Sequence, residues 1–269
     1  MTTIKPMEAK PRPEVGIEQP NASKRPQADQ LESDTASPGV LRGAARLTVH
    51  THQALRLVKG RAGTTKKPAI IGLLGFARLL RPIWEGVRAG DPYADCWILK
   101  VQEALDRAEH VLLDEYRELD RCVTQISTIH IEPAASVKPF SMRLQFTNPY
   151  AFRGARLLAN YDALVRGIRT AAHMGLLTRV EAERALQRPG RCLRRAFTSP
   201  IGYHRLGITR TDVEMQTTKA LRACELMGTV PEDILMRTRY GNYGFLPVKT
   251  RTPVAEQAEN SSYKSSEDA

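Results

Sequence analysis

The chain has 269 residues, a formal net charge of +11 and a sequence pI of about 9.7. A cationic excess of this size favours anionic partners such as nucleic acid or an anionic membrane surface. No run of about 18 apolar residues is present, and the N-terminal residues lack the apolar segment of a signal peptide. We therefore expect a cytoplasmic protein with no membrane partner.

Both ends of the chain have the composition of disordered segments. Residues 1–39 and 248–269 are polar and contain few large apolar side chains. Such segments bury too little apolar surface to offset the entropy lost on ordering. We predict two disordered tails that flank a single folded domain over residues 40–247.

The first predicted element of this domain is a strand over residues 44–51. Its residues alternate, with Leu47 and Val49 on one side and Arg46, Thr48 and His50 on the other. A period of two indicates a half-buried strand whose open face is polar and partly basic. A short helix with the sequence HQALRLVKG follows directly.

A loop rich in Gly, Thr and Lys comes next, from Gly60 to Lys67. Exposed amides, hydroxyls and cations in such a loop suit phosphate, although charged runs are often merely solvated. The loop lacks the G-x-x-x-x-G-K-[ST] spacing of a nucleotide-binding P-loop. The predicted phosphate-contacting residues of this loop are Arg61, Thr64, Thr65, Lys66 and Lys67.

Two helices are predicted after the loop, near residues 69–89 and from Asp91 to about Ile126. In the second helix an apolar stripe recurs every three or four residues, beginning at Trp97 and Val101. Its other face mixes acidic and basic residues, which we interpret as the solvated surface of a scaffold helix.

A second strand is predicted from Phe140 to Phe146. Its apolar residues alternate with Ser141, Arg143 and Gln145. Asn148 is expected to cap the following helix, with Pro149 in its first turn, where the missing N–H is harmless.

The order strand, helix, helix thus occurs twice, and two lone strands satisfy their backbone groups by pairing with each other. We predict a mainly α fold with a short two-stranded antiparallel β-ribbon, forming a single-chain, pseudo-dimeric ribbon-helix-helix-like core plus extra helices. In such units the ribbon enters the major groove. Alternatively, these polar residues simply face solvent on a small sheet. The predicted base-contacting residues are Arg46, Thr48, His50, Ser141, Arg143 and Gln145.

The C-terminal half is predicted to contain helices near residues 149–174, 178–187, 190–197 and 211–227. Thr178 with Glu181, and Thr211 with Glu214, have the spacing of capping boxes. Between residues 136 and 228, basic residues outnumber acidic ones sixteen to six. Helical spacing places three of them on one side as a second predicted phosphate-binding cluster, which has a solvated surface as its alternative. These residues are Arg191, Arg194 and Arg195.

Enzymatic and metal-binding patterns are missing from the sequence. No pair of histidines has a metal-binding helix signature, and the motifs of nucleophilic hydrolases and dinucleotide-binding folds do not occur. We predict a protein that is not an enzyme and uses no metal or cofactor. The cysteines form no C-x-x-C pair and are expected to be buried free thiols. They are Cys96, Cys122, Cys192 and Cys224.

Several longer blocks of the sequence carry a family resemblance. They include LTVHTHQALRLVKGRAG, DPYADCWILKVQEAL, EPAASVKPFSMRLQFTNPYAF and FTSPIGYHRLGITRTDV, which together extend over roughly residues 40–236. This region resembles a family of integrating conjugative element proteins related to the AcaB-type transcriptional activators. The resemblance implies a ribbon-helix-helix DNA binder, in agreement with the strand pattern. Pro139 limits how far the second strand extends.

The first function predicted from these observations is a DNA-binding accessory or regulatory protein of an integrating conjugative element. It would bind double-stranded DNA, and transcription or conjugative-transfer proteins are further candidate partners. The alternative is a non-enzymatic structural or adaptor protein of the transfer machinery. The sequence does not specify the oligomeric state.

Overall fold

The computed structural model of the chain describes residues 45–124, except Lys66, and residues 132–243. The tails predicted over residues 1–39 and 248–269 lie outside these described residues. Residue 44, where the predicted first strand begins, and residues 125–126, where the predicted long helix ends, lie outside them as well.

Eight helices and two strands make up the described part of the chain. Two strands thus interrupt an otherwise helical fold, which confirms the predicted mainly α class with a β-ribbon. In chain order the elements are β1 (Ala45–Val49), α1 (His52–Lys59), α2 (Leu73–Ala89), α3 (Pro92–Thr124), β2 (Phe140–Leu144), α4 (Pro149–His173), α5 (Arg179–Thr198), α6 (Arg210–Glu214), α7 (Thr218–Met227) and α8 (Glu232–Leu235).

The two strands form one antiparallel sheet, with Ala45 opposite Leu144 and Val49 opposite Phe140. On its inner face Leu47, Val49 and Leu144 are buried, and the alternate residues of both strands are exposed. The alternation of apolar and polar residues predicted from the sequence therefore matches the inner and outer faces of the ribbon. Its inner face joins the core, and its outer face is free of protein contacts that would bury it.

The core lies between α3, α4 and α5, with α2 packed against all three. The apolar stripe predicted on the long helix is buried from Trp97 to Leu112. Phe76 of α2 and Phe197 of α5 stack with their ring centroids 5.1 Å apart. Gly154 of α4 lies directly against both rings, so this glycine sets how closely α4 approaches them.

One helix, α5, replaces the two that were predicted over residues 178–187 and 190–197. The gap between the two predicted helices contains Pro189, but this proline lies inside α5. A proline in a helix interior costs about 3 kcal/mol, whereas burial of each large apolar side chain contributes about 1.5–3 kcal/mol. Packing therefore outweighs the local preference. The buried residues of α5 are Ala182, Leu186, Pro189, Gly190, Leu193, Ala196 and Phe197.

The single helix predicted over residues 211–227 is instead two helices, α6 and α7. Gln216 has a positive φ of 49°, which ends the first helix, and Thr217 caps the second through Ala220. The capping box predicted at Thr211 and Glu214 is also wrong. Thr209 and Asp212 form the capping box of α6 instead. The Asp212 carboxylate also accepts a hydrogen bond from the hydroxyl of Thr217, the residue that caps α7.

The prediction of four buried thiols holds for one cysteine only. Cys96 is buried, and burial raises the pKa of its thiol to about 11. Cys122, Cys192 and Cys224 are partly exposed. All four are free thiols. The capping box at Thr178 and Glu181, in contrast, is present as predicted.

Replacing Gly154 by Ala tests the packing of α4. The new Cβ would lie 2.8 Å from Cε1 of Phe76, a ring that is pinned by its stacking partner. Overpacking of this kind costs about 1–3 kcal/mol, which exceeds the gain of about 1 kcal/mol from the better helix propensity of Ala. Urea denaturation should show a net loss of stability.

Gly167→Ala in the same helix is the matched control. Its new Cβ meets the flexible end of the half-buried Leu119, which has room to move. This variant should be as stable as the parent chain or slightly more so. Equal stability of the two variants would contradict the packing argument.

Candidate nucleic-acid interface

The outer face of the ribbon carries four of the six predicted base-contacting residues. Arg46 lies directly opposite Arg143, and Thr48 lies directly opposite Ser141. All four are exposed, and the two hydroxyl oxygens are 3.2 Å apart. The structure thus brings two guanidinium groups and two hydroxyls together on one polar surface.

The Arg46–Arg143 pair is unfavourable for the isolated fold. Like charges at directly opposite positions of an antiparallel pair destabilise that pair. No carboxylate of a described residue lies within 4.0 Å of either guanidinium to offset the repulsion. An anionic partner that contacts both side chains would remove this penalty.

The other two predicted base-contacting residues differ in their surroundings. Gln145 is exposed immediately after the last residue of β2. His50 is half-buried after β1, and its Nδ1 accepts a hydrogen bond from the backbone N–H of Ser136 at 3.2 Å. His50 therefore supports the segment that leads into β2, which disfavours it as a base-contacting residue.

Asp162 of α4 fixes the turn between β1 and α1. Its carboxylate, buried to 3 % exposure, accepts hydrogen bonds from the backbone N–H groups of His50 and Thr51, both at 2.9 Å. The Thr51 hydroxyl also donates to it at 2.6 Å. Thr51 Oγ1 in turn accepts from the N–H of Ala54 and caps α1. One side chain of α4 thus determines how the first strand enters its helix.

The same helix also holds the segment before β2. Arg166 donates to the backbone carbonyls of Ala134 and Pro133, at 2.6 and 3.0 Å. Thr170 Oγ1 accepts from the N–H of Ala134 at 2.9 Å. The E-P-A-A-S block of the sequence therefore has a structural role: it is the segment through which α4 positions the second strand.

Each strand and the start of the helix after it form one copy of a short internal repeat, which was not predicted from the sequence. Residues 46–56 read RLTVHTHQALR and residues 143–153 read RLQFTNPYAFR, so both fit R-L-x-[VF]-x-[TN]-x-x-A-[LF]-R. The caps match as well, because Asn148 Oδ1 accepts from the N–H of Ala151 at 2.8 Å just as Thr51 accepts from Ala54. The repeat was visible in the sequence, but only once both strands are aligned on their capping residues.

This repeat and the strand register together define a local two-fold axis. Arg46 and Arg143 are equivalent in the repeat, and they also lie opposite each other in the sheet. The axis therefore passes between these two arginines. Thr48 and Gln145 are the equivalent positions on either side of it, so the outer face is symmetric in its centre and asymmetric at its ends.

The two predicted phosphate-binding segments lie around adjoining cavities. Arg61 and Lys67 line one cavity together with Arg194, and Arg191 and Arg194 line the other. Arg195 is exposed on α5 but lines neither. Thr64 and Thr65 are exposed, and Lys66 lies outside the described residues.

The amides of the Gly60–Lys67 loop are less available than predicted. The backbone groups of Arg61 and Ile70 bond to each other at 2.8 Å, and those of Thr64 and Lys67 bond at 2.8 and 3.2 Å. The loop is therefore a small bridged hairpin. Its cations, and not the amides of these residues, are the groups that it offers to an anion.

Many arginines elsewhere are neutralised within the fold. Arg153 of α4, whose side chain is 10 % exposed, binds Asp106 and Glu109 of α3. The acidic face of α3 is therefore partly an intramolecular binding surface, whereas it was predicted to be solvated. Further pairs join Arg156 to Glu109, Arg169 to Glu183, Arg205 to Glu85, Arg210 to Asp95 and Arg239 to Glu103.

Metal-ligand clusters and membrane-spanning helices are both absent from the described residues. No group of three or more His, Cys, Asp or Glu side chains within residues 45–124 and 132–243 is placed to hold a metal ion. Within the same ranges no helix has both the length and the hydropathy needed to cross a membrane.

Comparison with known proteins identifies one family. A family model described as "Transcriptional regulator AcaB" matches residues 37–246. The crystal structure of selenomethionine-containing AcaB from uropathogenic E. coli superimposes with a TM-score of 0.50 at 14 % sequence identity. The match covers 72 % of this chain and 95 % of that one, which shows a shared fold. No curated protein matches the sequence.

Replacing Asp162 by Ala tests the role of the buried carboxylate. The change leaves two backbone N–H groups and one hydroxyl without their acceptor. A buried donor left without its acceptor costs about 1–3 kcal/mol, so the loss of the acceptor of three donors should cost roughly 2–5 kcal/mol in total. Urea denaturation should therefore show a loss of that size, with Asp162→Asn intermediate because its amide oxygen still accepts.

Asp120→Ala provides the same change of charge at an exposed position of α3. Its stability should stay within about 0.5 kcal/mol of the parent chain, as is usual for surface substitutions. If Asp162→Ala were no more destabilised than this control, the ribbon would not depend on the carboxylate.

Proposed function

Because the chain belongs to the AcaB family of transcriptional regulators, we propose that it regulates transcription by placing the β1–β2 ribbon in the major groove of double-stranded DNA. The family supports a regulatory, DNA-binding and non-enzymatic role. The observation that carries the finer proposal is the pair of exposed arginines, Arg46 and Arg143, on a ribbon held from behind by α4.

The dimensions and chemistry of the ribbon suit this groove. The major groove is about 12 Å wide and admits a two-stranded ribbon, whose strands are about 4.8 Å apart. An arginine can bind the O6 and N7 acceptors of guanine, and a glutamine can bind the N6 and N7 edge of adenine. We therefore assign base contacts to Arg46, Arg143 and Gln145, with the Thr48–Ser141 hydroxyl pair beside them.

Contacts to the DNA backbone are assigned to exposed residues outside the cavities. Thr64, Thr65 and Arg195 are of this kind, and Lys66 belongs to the same loop in the sequence. Such contacts would fix the register of the ribbon without adding sequence preference. The cavity-lining cations Arg61, Lys67, Arg191 and Arg194 remain further candidates for the backbone.

The resemblance to integrating conjugative element proteins supports a setting for this activity. We propose that the target promoters lie in such an element. A second candidate function, an adaptor for transcription or transfer proteins, is favoured by apolar side chains exposed on the C-terminal helices. Leu221 and Leu226 of α7 are 53 % and 51 % exposed, and Met236 after α8 is 68 % exposed.

Selection of bound DNA from a random duplex library tests the regulator against the adaptor. The purified full chain should enrich one motif, and the enrichment should persist as the salt concentration rises while total retention falls. Uniform retention of all sequences would favour the adaptor or a nonspecific accessory role.

Substitution of the central arginines tests the ribbon itself. Arg46→Ala and Arg143→Ala should each weaken binding to the selected motif by about 1–3 kcal/mol, the value of one bidentate contact, and relax the preference at the centre of the site. Fluorescence anisotropy with motif and scrambled duplexes measures both effects. Arg107→Ala on the exposed face of α3 is the control and should leave the ratio of the two affinities unchanged.

The local two-fold axis predicts the form of the motif. Its centre should be symmetric, because Arg46 and Arg143 are equivalent, and its flanks should differ, because Gln145 is the counterpart of Thr48. Thr48→Gln and Gln145→Thr each place the same residue at both equivalent positions, so each should alter one flank and make the selected motif more nearly palindromic. Unchanged motifs for both variants would contradict the proposed placement of the ribbon.

A further inference from the structure

Two adjoining cavities lie beside α1, and four of the predicted phosphate-contacting residues line them. The larger has a volume of about 610 Å³ and the smaller about 410 Å³. Gln53 of α1, Tyr161 of α4 and Arg194 of α5 line both of them. Their sizes fall in the range of about 300–1,000 Å³ that is typical of small-molecule sites.

The walls of these cavities are strongly cationic. The single carboxylate that lines them is Glu183, which pairs with Arg169 at 3.6 Å. No carboxylate of a described residue lies within 4.0 Å of the other cationic groups. The fold therefore leaves these charges uncompensated, in contrast to the paired arginines on α4. The uncompensated cationic residues of the cavity walls are Arg56, Arg61, Lys67, Arg191 and Arg194.

One of these cations, Arg61, is held in place before any ligand binds. Arg61 Nη2 donates to the carbonyl of Pro68 at 2.9 Å within the bridged hairpin. The base of that hairpin lies very close to the end of α1. A Cβ on Gly60 would lie only 2.4 Å from the carbonyl oxygen of Ile70. Such preorganisation lowers the entropy that a ligand must remove on binding.

A neutral donor completes the shared wall. No described residue accepts a hydrogen bond from the Tyr161 hydroxyl. Burial raises the pKa of this tyrosine, so the group is a protonated donor at neutral pH. Gly190 leaves the space beside it open, since a Cβ there would lie 3.0 Å from the hydroxyl and 3.5 Å from Arg194 Nη1.

The larger cavity also has an apolar side, formed by Leu57 and Ile70. Phosphate groups are the anions that arginine binds best, through paired N–H donors. We propose that the two cavities form one site for a nucleoside diphosphate, with its phosphates between Arg61, Arg191 and Arg194 and its base against Leu57 and Ile70. This proposal does not depend on the base contacts of the ribbon, although Arg61, Arg191 and Arg194 are also candidate contacts to the DNA backbone.

Calorimetric titration of the full chain with ADP and with pyrophosphate, in the absence of DNA, tests the site. ADP should bind with saturation at one molecule per chain, and more tightly than pyrophosphate because the base contacts the apolar side. The double variant Arg61→Gln/Arg194→Gln should weaken ADP binding at least about tenfold, since hydrogen bonds to charged groups are worth about 1.5–3 kcal/mol each. Tyr161→Phe should weaken it by a smaller factor.

The control is Arg78→Gln/Arg222→Gln, which removes the same charge from exposed positions outside both cavities. Its affinity for ADP should stay within twofold of the parent chain. Absence of saturable binding, or an equal loss in this control, would overturn the proposal. Pyrophosphate binding as tightly as ADP would overturn the nucleoside part.

The DNA backbone is the other source of phosphate, and a second arm separates it. The titration is repeated with the chain saturated by its selected duplex, and ADP binding should persist. Loss of ADP binding under these conditions would assign the cavity to the DNA backbone instead. Arg143→Ala should lose the DNA preference but keep ADP binding, so failure of either proposal is distinguishable from failure of the other.

Discussion

The buried carboxylate of Asp162 is the interaction on which the ribbon depends. A charged group at 3 % exposure is tolerated because backbone N–H groups of His50 and Thr51 and a hydroxyl surround it. Those donors belong to the turn that joins the first strand to α1. The same helix, α4, binds the segment before the second strand through Arg166 and Thr170. Both strands are therefore aligned by one helix, although nearly a hundred residues separate them along the chain.

The distribution of charge follows from this architecture. Acidic residues of α3 neutralise arginines of α4 and of the C-terminal segment, as Asp106 and Glu109 do for Arg153. Because some arginines are paired with carboxylates and others are not, the net charge of +11 is unevenly distributed. At the outer face of the ribbon and in the cavities beside α1, guanidinium groups remain that have no carboxylate of a described residue within 4.0 Å. These are the two surfaces that we propose to bind anions, the exposed face of the ribbon and the walls of the cavities.

The ribbon was predictable because alternation and capping are local signals. Leu47 and Val49 alternate with polar residues, and the capping residue Asn148 follows the second strand at the expected distance. Other features depend on contacts that are remote in sequence. The core holds Pro189 inside α5 against its local preference, and a positive φ at Gln216 separates α6 from α7. The convergence of Arg61 with Arg194 is visible only once the hairpin packs beside α5. Sequence spacing alone predicts that Arg61 and Arg194 are each exposed, but it does not predict that they line the same cavity.

The two halves of the ribbon belong to a single polypeptide. Strands contributed by two separate chains come together only above the dissociation constant of their dimer, and they are scarce when the protein is dilute. Here the pairing of β1 with β2 is intramolecular. The fraction of molecules with a complete ribbon is therefore the same at a few copies per cell as at many.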